Sequence, residues 1–364
     1  MEKEELKKYQ YWMNCIPGIG NKKRQKLVEY CGSAKEVFFM KKEQLCKIEG
    51  IRDSDVEAIA ESRKGFDLEQ GISYLEKEGI SMVTVEEEAF PKRLARIADC
   101  PYAVFYKGKL PAEEEKTAAV VGARICSAYG RAAALEIAEK LAAHGVGIVS
   151  GMASGIDSFG HWGAIRGGGK TYAVLGCGVD VCYPKGGWEL YGRILESGGV
   201  LSEYLPKTPP AAARFPARNR FISALSDVVI VIEAKQRSGS LITADFALEQ
   251  GKDIYAVPGR LSDALSAGCN ALIRQGGGIV VSPDDLLLEL GISTGKREDK
   301  QKSTKNSLEK DEALVYSCFD LQPKSMEELV KMTKIPVSAM ADLLVRLLGK
   351  GLIEEYYKNY YCKK

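Results

Sequence analysis

The sequence is poor in histidine. Among its 364 residues only His144 and His161 are of that type. Zinc enzymes draw on more histidine or on clustered cysteine, so no metal site is expected. Ten cysteines are present, but none sits in a CxxC pair; the closest two, Cys177 and Cys182, flank a strand end. That spacing suits a reducing compartment and not a disulfide framework. An excess of charge is also missing. The 51 basic and 49 acidic side chains leave a net charge of +2, so any cations that meet a polyanion must be gathered locally. No apolar run is long enough to span a bilayer. The opening MEKEELKKYQ is charged and lacks the apolar core of a signal peptide. A cytoplasmic protein without membrane attachment is expected.

What remains is ordinary for a globular chain: 45% hydrophobic and 27% charged residues, at a length that allows two or three domains. The stretch from Tyr9 to Arg63 is helical in pattern and contains two similar turns, CIPGIG before NKKRQKLVEY and IEGI before RDSDVEAIAES. An apolar-Gly-apolar turn between helices has the shape of a helix-hairpin-helix, whose glycines let backbone N–H groups approach a phosphate. Lys22, Lys23 and Arg24 follow the first turn. The competing reading is plain helix-helix turns in a small bundle.

From about Gly71 to Gly291 short apolar runs alternate with helical stretches. TAAVVGA, GIVSG, TYAVLG, DVVIVIEA and DIYAVPG each end in Gly, Ser, Pro or Ala and lead into a helix pattern. Continuous Val/Ile/Ala runs fit strands buried on both faces. The alternation predicts an α/β fold, an extended Rossmann-like, doubly wound and mostly parallel sheet, with ligands at the carboxyl ends of its strands. After a charged, apolar-poor stretch the chain closes with three helix patterns and LIEEYYKNYY, the order of a winged helix. Its third helix carries Asp342 and Arg346 and little other charge before Lys350, so protein contact or packing fits it as well as DNA reading. The expected domains are 1–68 (helix-hairpin-helix or SAM-like), 69–292 (Rossmann-like), a flexible linker at 293–310, and 311–364 (winged helix).

The loops at the strand ends are rich in Gly and small hydroxyl residues, which can bend amides toward an anion. GARICSAYG offers Gly122, Arg124 and Ser127. In RSGSLITADFALEQ, Ser238, Gly239 and Ser240 precede a helix and Thr243 lies one turn in. Amides and hydroxyls at a helix start make a phosphate seat, the alternative being a simple cap. Neither the GxxxxGK(S/T) spacing nor a full GxGxxG is present. Asp157 and His161 stand four apart, with Ser150 and Ser154 nearby, but no GxSxG elbow accompanies them, so they read as loop-fixing and helix-capping groups. Glu203 and Glu233, near strand ends, could serve as acid-base groups, but adjacent arginines would lower their pKa values. The remaining puzzle is FPARNRFISALSD: two arginines stand just before the apolar run DVVIVIEA and need something to hold. They hold either an external anion or Glu203, Asp227 or Glu233.

GARICSAYG, SGMASGIDSFGHWGA, AVLGCGVDVCYP, LSEY, FPARNRFISALS, EAKQRSGSLITADFALEQG, AVPG and GCNALI occur in this order. In this the chain resembles the DNA-processing protein A family (DprA, also called Smf), over nearly the whole middle region and with similar flanking domains. The resemblance implies a non-enzymatic protein without cofactor. It implies single-stranded DNA binding without strong sequence preference, protection of that strand, homodimerisation, and loading of the RecA recombinase during natural transformation. Carried over by position, Arg124, Phe215, Arg218, Asn219, Arg220, Gly239, Ser240 and Thr243 would line the DNA pocket. Arg214 stands where some members carry a lysine. The alternative from the fold alone is a nucleotide-binding or nucleotide-processing enzyme on a related Rossmann-like fold.

Overall fold

The computed structural model describes residues 2–292, 310–319, 323–357 and 359–363. The chain divides into two compact units, Met1–Thr294 and Gly295–Lys364. The expected linker lies outside the described residues except for Lys310.

The first unit begins with six helices: α1 (Glu2–Cys15), α2 (Asn21–Cys31), α3 (Ala34–Phe39), α4 (Lys42–Leu45), α5 (Asp53–Ser62) and α6 (Leu68–Lys77). Their apolar faces close on Trp12, Met13, Ile16, Leu27, Leu45 and Ile59, all essentially inaccessible. This core does not stand apart from the sheet. Tyr102, Ala103 and Phe105 of the sheet's antiparallel flank belong to it, as does Val179.

The flank consists of β1 (Ser81–Thr84) and β2 (Ala103–Gly108), with α7 (Lys92–Ala95) between them. The chain then alternates through β3 (Thr117–Val121), α8 (Ala128–Ala143), β4 (Gly147–Ser150), α9 (Ile156–Arg166), β5 (Thr171–Val174), α10 (Trp188–Ser197), β6 (Gly199–Ser202), α11 (Arg214–Ala224), β7 (Val228–Val231), α12 (Gly239–Glu249), β8 (Asp253–Ala256), α13 (Ala267–Arg274), β9 (Gly278–Ile279) and α14 (Pro283–Glu289). The nine strands lie in the order β1-β2-β6-β5-β4-β3-β7-β8-β9. From β6 to β9 every neighbouring pair is parallel, and β2 joins β6 antiparallel with Phe105 opposite Ser202.

Every residue of β3, β4, β5, β6 and β7 is buried, as two-sided burial demands of a parallel sheet. Side chains alternate across it. Ala118 and Val120 face the core shared with α8, α9 and α14. Ala119 and Val121 face the core shared with α11, α12 and α13. Helices therefore cover both faces, and the sheet is doubly wound and mostly parallel. FPARNR does not approach β7 in extended form; it forms the first half of α11.

The second unit holds α15 (Lys310–Ser317), β10 (Lys324–Ser325), α16 (Met326–Thr333), α17 (Val337–Gly349), β11 (Ile353–Tyr357) and β12 (Tyr360–Lys363). Its three strands pair antiparallel in the order β10-β12-β11. Val315, Leu329, Met340, Leu344 and Leu347 build its core. The outward side of α17 carries Val337 and Val345, both more than half exposed. No helix among the described residues is long and apolar enough to cross a membrane.

Candidate nucleic-acid interface

The chain winds outward from β3 to β6 and then returns to place β7 beside β3. A crevice therefore opens outside the carboxyl ends of β3 and β7, where doubly wound sheets bind their ligands. Here the crevice is filled from within. Glu233, at the end of β7, is 2% exposed. One carboxylate oxygen accepts the Ser127 N–H at 2.9 Å and the other accepts the Ser127 hydroxyl. Ser127 Oγ in turn accepts the Gly130 N–H at 3.0 Å and caps α8. Gly130 is required there, since a Cβ would stand 2.3 Å from the Glu233 carboxyl carbon. The start of α8, where a dinucleotide's pyrophosphate would sit, already carries an anion.

The acid in the first turn of α9 serves the loop before it, and Gly155 at the start of that helix has no side-chain cap. Asp157 is buried and accepts the Gly151 N–H at 3.2 Å, and the amides of Ala153 and Gly122 also favour its charge. Burial nevertheless pushes its carboxyl above the ordinary range, against the pull of Arg218. His161, one turn on, is fully buried. The Thr171 hydroxyl donates to Ile148 O at 2.9 Å, so His161 Nδ1–H is the donor in the 2.6 Å bond to Thr171 Oγ1. Burial, with Arg218 nearby, pushes the imidazole down to about 3, so it is neutral near pH 7. Ser150 donates to Val120 O at 2.6 Å. Each of the three groups is thus bonded within the protein; Asp157 fixes the loop after β4, whereas the expected cap of α9 is not made, since Gly155 has no side-chain cap.

On a helix, residues two apart point nearly opposite ways, and α11 separates its arginines accordingly. Arg218 is 4% exposed. It donates from Nη1 to the Val174 carbonyl, the last of β5. Its guanidinium lies over Gly151, where a Cβ would meet Nη1 at 1.9 Å. Arg220 turns the other way. Nη1 and Nη2 donate to Glu203 at 2.7 and 2.5 Å, and Nε donates to Asp99 O at 3.1 Å. Glu203 also accepts from Asn21 Nδ2 at 3.3 Å, and Asn21 Oδ1 accepts the Tyr102 N–H at the same distance. Both arginines suggested for phosphate are therefore engaged with protein groups. The internal partner foreseen for Arg220, Glu203, is present; Arg218 holds a strand carbonyl beside Asp157.

What stays open lies above these two. Arg124 is exposed and its guanidinium stands 5.3 Å from the centre of the Phe215 ring. Phe215 in turn faces Tyr183 with ring centres 5.2 Å apart and planes inclined by 31°. Pro210, Ala211 and Ala212 complete a shallow pocket around them. Arg214 lies over the Tyr204 ring and donates to Pro209 O. Asn219 donates to Gly239 O at 3.2 Å and so ties α11 to the start of α12. That start has no side-chain cap: Ser238 Oγ pairs with Ser240 Oγ at 2.8 Å instead of with the backbone. Gly239, Lys235 and Arg237 are exposed, whereas Ser240 and Thr243 lie beneath the surface.

At the amino-terminal hairpins the cations turn inward. Arg24 donates to the carbonyls of Met13 and Asn14 at 2.9 and 3.0 Å. Lys23 pairs with Asp55 at 2.6 Å, and Asp55 also accepts the Arg52 N–H at the start of α5. Lys22 is exposed. Tyr183, Asn21 and the internal role of Glu233 were not singled out from sequence. The carboxyl-to-amide contacts that define Glu233 span 106 residues, and no local pattern announces them.

Comparison with known proteins identifies the family. The profile of a family described as DNA recombination-mediator protein A matches residues 81–291. The chain is 45% identical over 206 residues to DNA processing protein DprA of Streptococcus pneumoniae, covering 57% of this chain and 73% of that protein. It is 41% identical over 228 residues to protein Smf of Escherichia coli, covering 62% of this chain and 61% of that one. The X-ray structure of the Streptococcus pneumoniae protein superposes with a TM-score of 0.67 at 37% identity, over 78% of this chain and 97% of the other. A structure of DNA processing protein A from Helicobacter pylori, described for its single-stranded DNA binding mode, superposes with a TM-score of 0.53 at 29% identity, over 58% and 95%. The chain belongs to the DNA recombination-mediator protein A family, the family of DprA and Smf.

Proposed function

We propose that this protein binds single-stranded DNA, with little sequence preference, on the carboxyl-end face of its sheet. One observation carries the reading. The starts of α8 and α5 are occupied by the protein's own Glu233 and Asp55, and Asp157 takes the Gly151 N–H in the loop before α9. The start of α12 is left uncapped and, through Asn219, lies beside the Arg124–Phe215 pocket. Amides and cations would hold backbone phosphates, and Phe215 with Tyr183 would offer faces to bases, a contact indifferent to sequence. In this reading Arg124, Phe215, Asn219, Gly239 and Ser238 meet the strand. Arg218, Arg220, Ser240 and Thr243 act from beneath by fixing α11 and α12, as Gly122 and Ser127 fix the loop after β3.

Family membership supports the wider role: a mediator without turnover that protects incoming single strands, works as a homodimer formed through the sheet-bearing region, and hands the strand to the RecA recombinase. The nucleotide-enzyme alternative needs an anion seat at the β3–β7 crevice, and Glu233 holds that seat. The test is an electrophoretic comparison of single-stranded and duplex DNA. Tighter single-strand binding is expected; equal affinity for the duplex counts against the reading.

A further inference from the structure

We propose that the bound strand continues past the Phe215 pocket to a second nucleotide subsite on the far side of the sheet's reversal, built from Tyr129, Lys235, Arg237 and Arg260. This rests on the single-strand reading above. Phe215 packs against Gly176, just after β5. The four residues of the new subsite belong to the loops after β7 and β8 and to the first turn of α8, which follows β3. In the strand order β5-β4-β3-β7-β8, four inter-strand steps of about 4.8 Å put the loop after β8, with Arg260, roughly 19 Å from the end of β5, and Tyr129, after β3, about half as far. A mononucleotide cannot bridge that gap, whereas a strand can, and the uncapped start of α12 lies along the way.

The subsite is built and fixed. Tyr129 is 54% exposed, yet its hydroxyl donates to Pro258 O at 3.1 Å, which pins the ring against the loop after β8. That loop is held in turn by Asn270, whose side chain accepts the Gly259 N–H at 3.2 Å and donates to Gly259 O at 3.0 Å. The loop after β7 is joined to it, because Ala234 N donates to Leu265 O at 2.7 Å and Gly268 N to Ala234 O at 2.8 Å. Lys235, Arg237 and Arg260 are exposed on these loops, and no ion pair engages them among the described residues. The acid of the same loop, Asp263, turns to the Leu265 N–H at 2.9 Å. Ile125 and Leu261, 87% and 97% exposed, belong to the same two loops as Arg124 and Arg260. A pinned aromatic ring with exposed cations on the adjoining loops is the composition that stacks a base and holds its phosphates.

The experiment compares oligothymidylates of about four and about sixteen nucleotides, the span of single-strand site sizes, at several salt concentrations. Wild type should bind the longer strand more tightly and with a steeper salt dependence. Tyr129→Ala should leave the short strand unaffected and weaken the long one by about five- to a hundred-fold. Tyr129→Phe, which keeps the ring, should bind both as wild type does. Replacing Lys235, Arg237 and Arg260 together by Gln should remove the added slope, roughly 0.7 for each lost contact, with melting unchanged because all three are exposed. Long-strand binding untouched in both the Tyr129→Ala and the triple variant overturns the subsite. So does an equal loss for both lengths. Failure of wild type to bind either length overturns the single-strand reading itself and the extension with it.

Discussion

Arg220 closes both terminal nitrogens of its guanidinium on the two oxygens of Glu203, at 2.7 and 2.5 Å, with 8% and 13% of the side chains accessible. A pair so deeply placed is unforgiving when one member is lost, because the other stays buried and uncompensated. Arg220→Ala should therefore lower stability by about 3–5 kcal/mol in chemical denaturation. Its salt dependence of single-strand binding, measured below the midpoint, should match wild type. Wild-type stability together with a slope reduced by roughly 0.7 would mean that Arg220 reaches a phosphate after all.

Arg124 and Phe215 touch each other but should fail differently. Phe215→Ala should cost about 1–3 kcal/mol of single-strand affinity with the salt slope kept. Arg124→Ala should flatten the slope by roughly 0.7. Titration at several salt concentrations separates the two, and identical behaviour of the variants would refute their separate roles.

Gly151→Ala tests what Arg218 holds. The new Cβ would stand 1.9 Å from Arg218 Nη1, so the guanidinium must leave the Val174 carbonyl and the neighbourhood of Asp157. Stranding those buried acceptors should cost about 1–3 kcal/mol. An unchanged denaturation midpoint would show that the arginine is not needed there.

His161 should make the fold sensitive to acid. Unfolded, it takes a proton below its ordinary value of 6.5; folded, it resists protonation down to about 3. Between these values the unfolded state binds more protons, so stability is full above 6.5 and falls as the pH falls, by up to about 1.4 kcal/mol per unit. Asp157 acts in the opposite sense, since burial raises its pKa and protonation relieves it. The difference between wild type and His161→Gln isolates the histidine. It should shrink steadily from pH 7 to pH 4, and a constant difference would contradict the assignment.

The parallel sheet was legible because runs such as TAAVV and VVIV are apolar at every position, a pattern that only two-sided burial explains. The motifs of the site were legible too, since glycine and hydroxyl residues cluster at strand ends. The orientation of the arginines was not. Read as a lead-in to a strand, Arg218 and Arg220 would share a face; wound into α11 they diverge. The segment is a poor helix signal, with Pro216 in its first turn, a place where proline is tolerated. The internal carboxylates were hidden for a different reason. Glu233 and Asp157 look like any acids near a loop, and only the fold brings the amides of Ser127 and Gly151 to them.

The join between Asn21 and Glu203 spans 182 residues, and it lies beside the pairing of β2 with β6. Synthesis runs from the amino terminus, so Asn21, Tyr102 and the whole edge of β2 are made long before their partners. Until residues 199–203 emerge, β2 presents an unpaired strand edge that can recruit another chain. Non-local pairing of this kind is also slow to form. Chains that stop before Glu203 should thus be aggregation-prone, and the wall behind the Phe215 pocket should be among the last parts of the first unit to assemble.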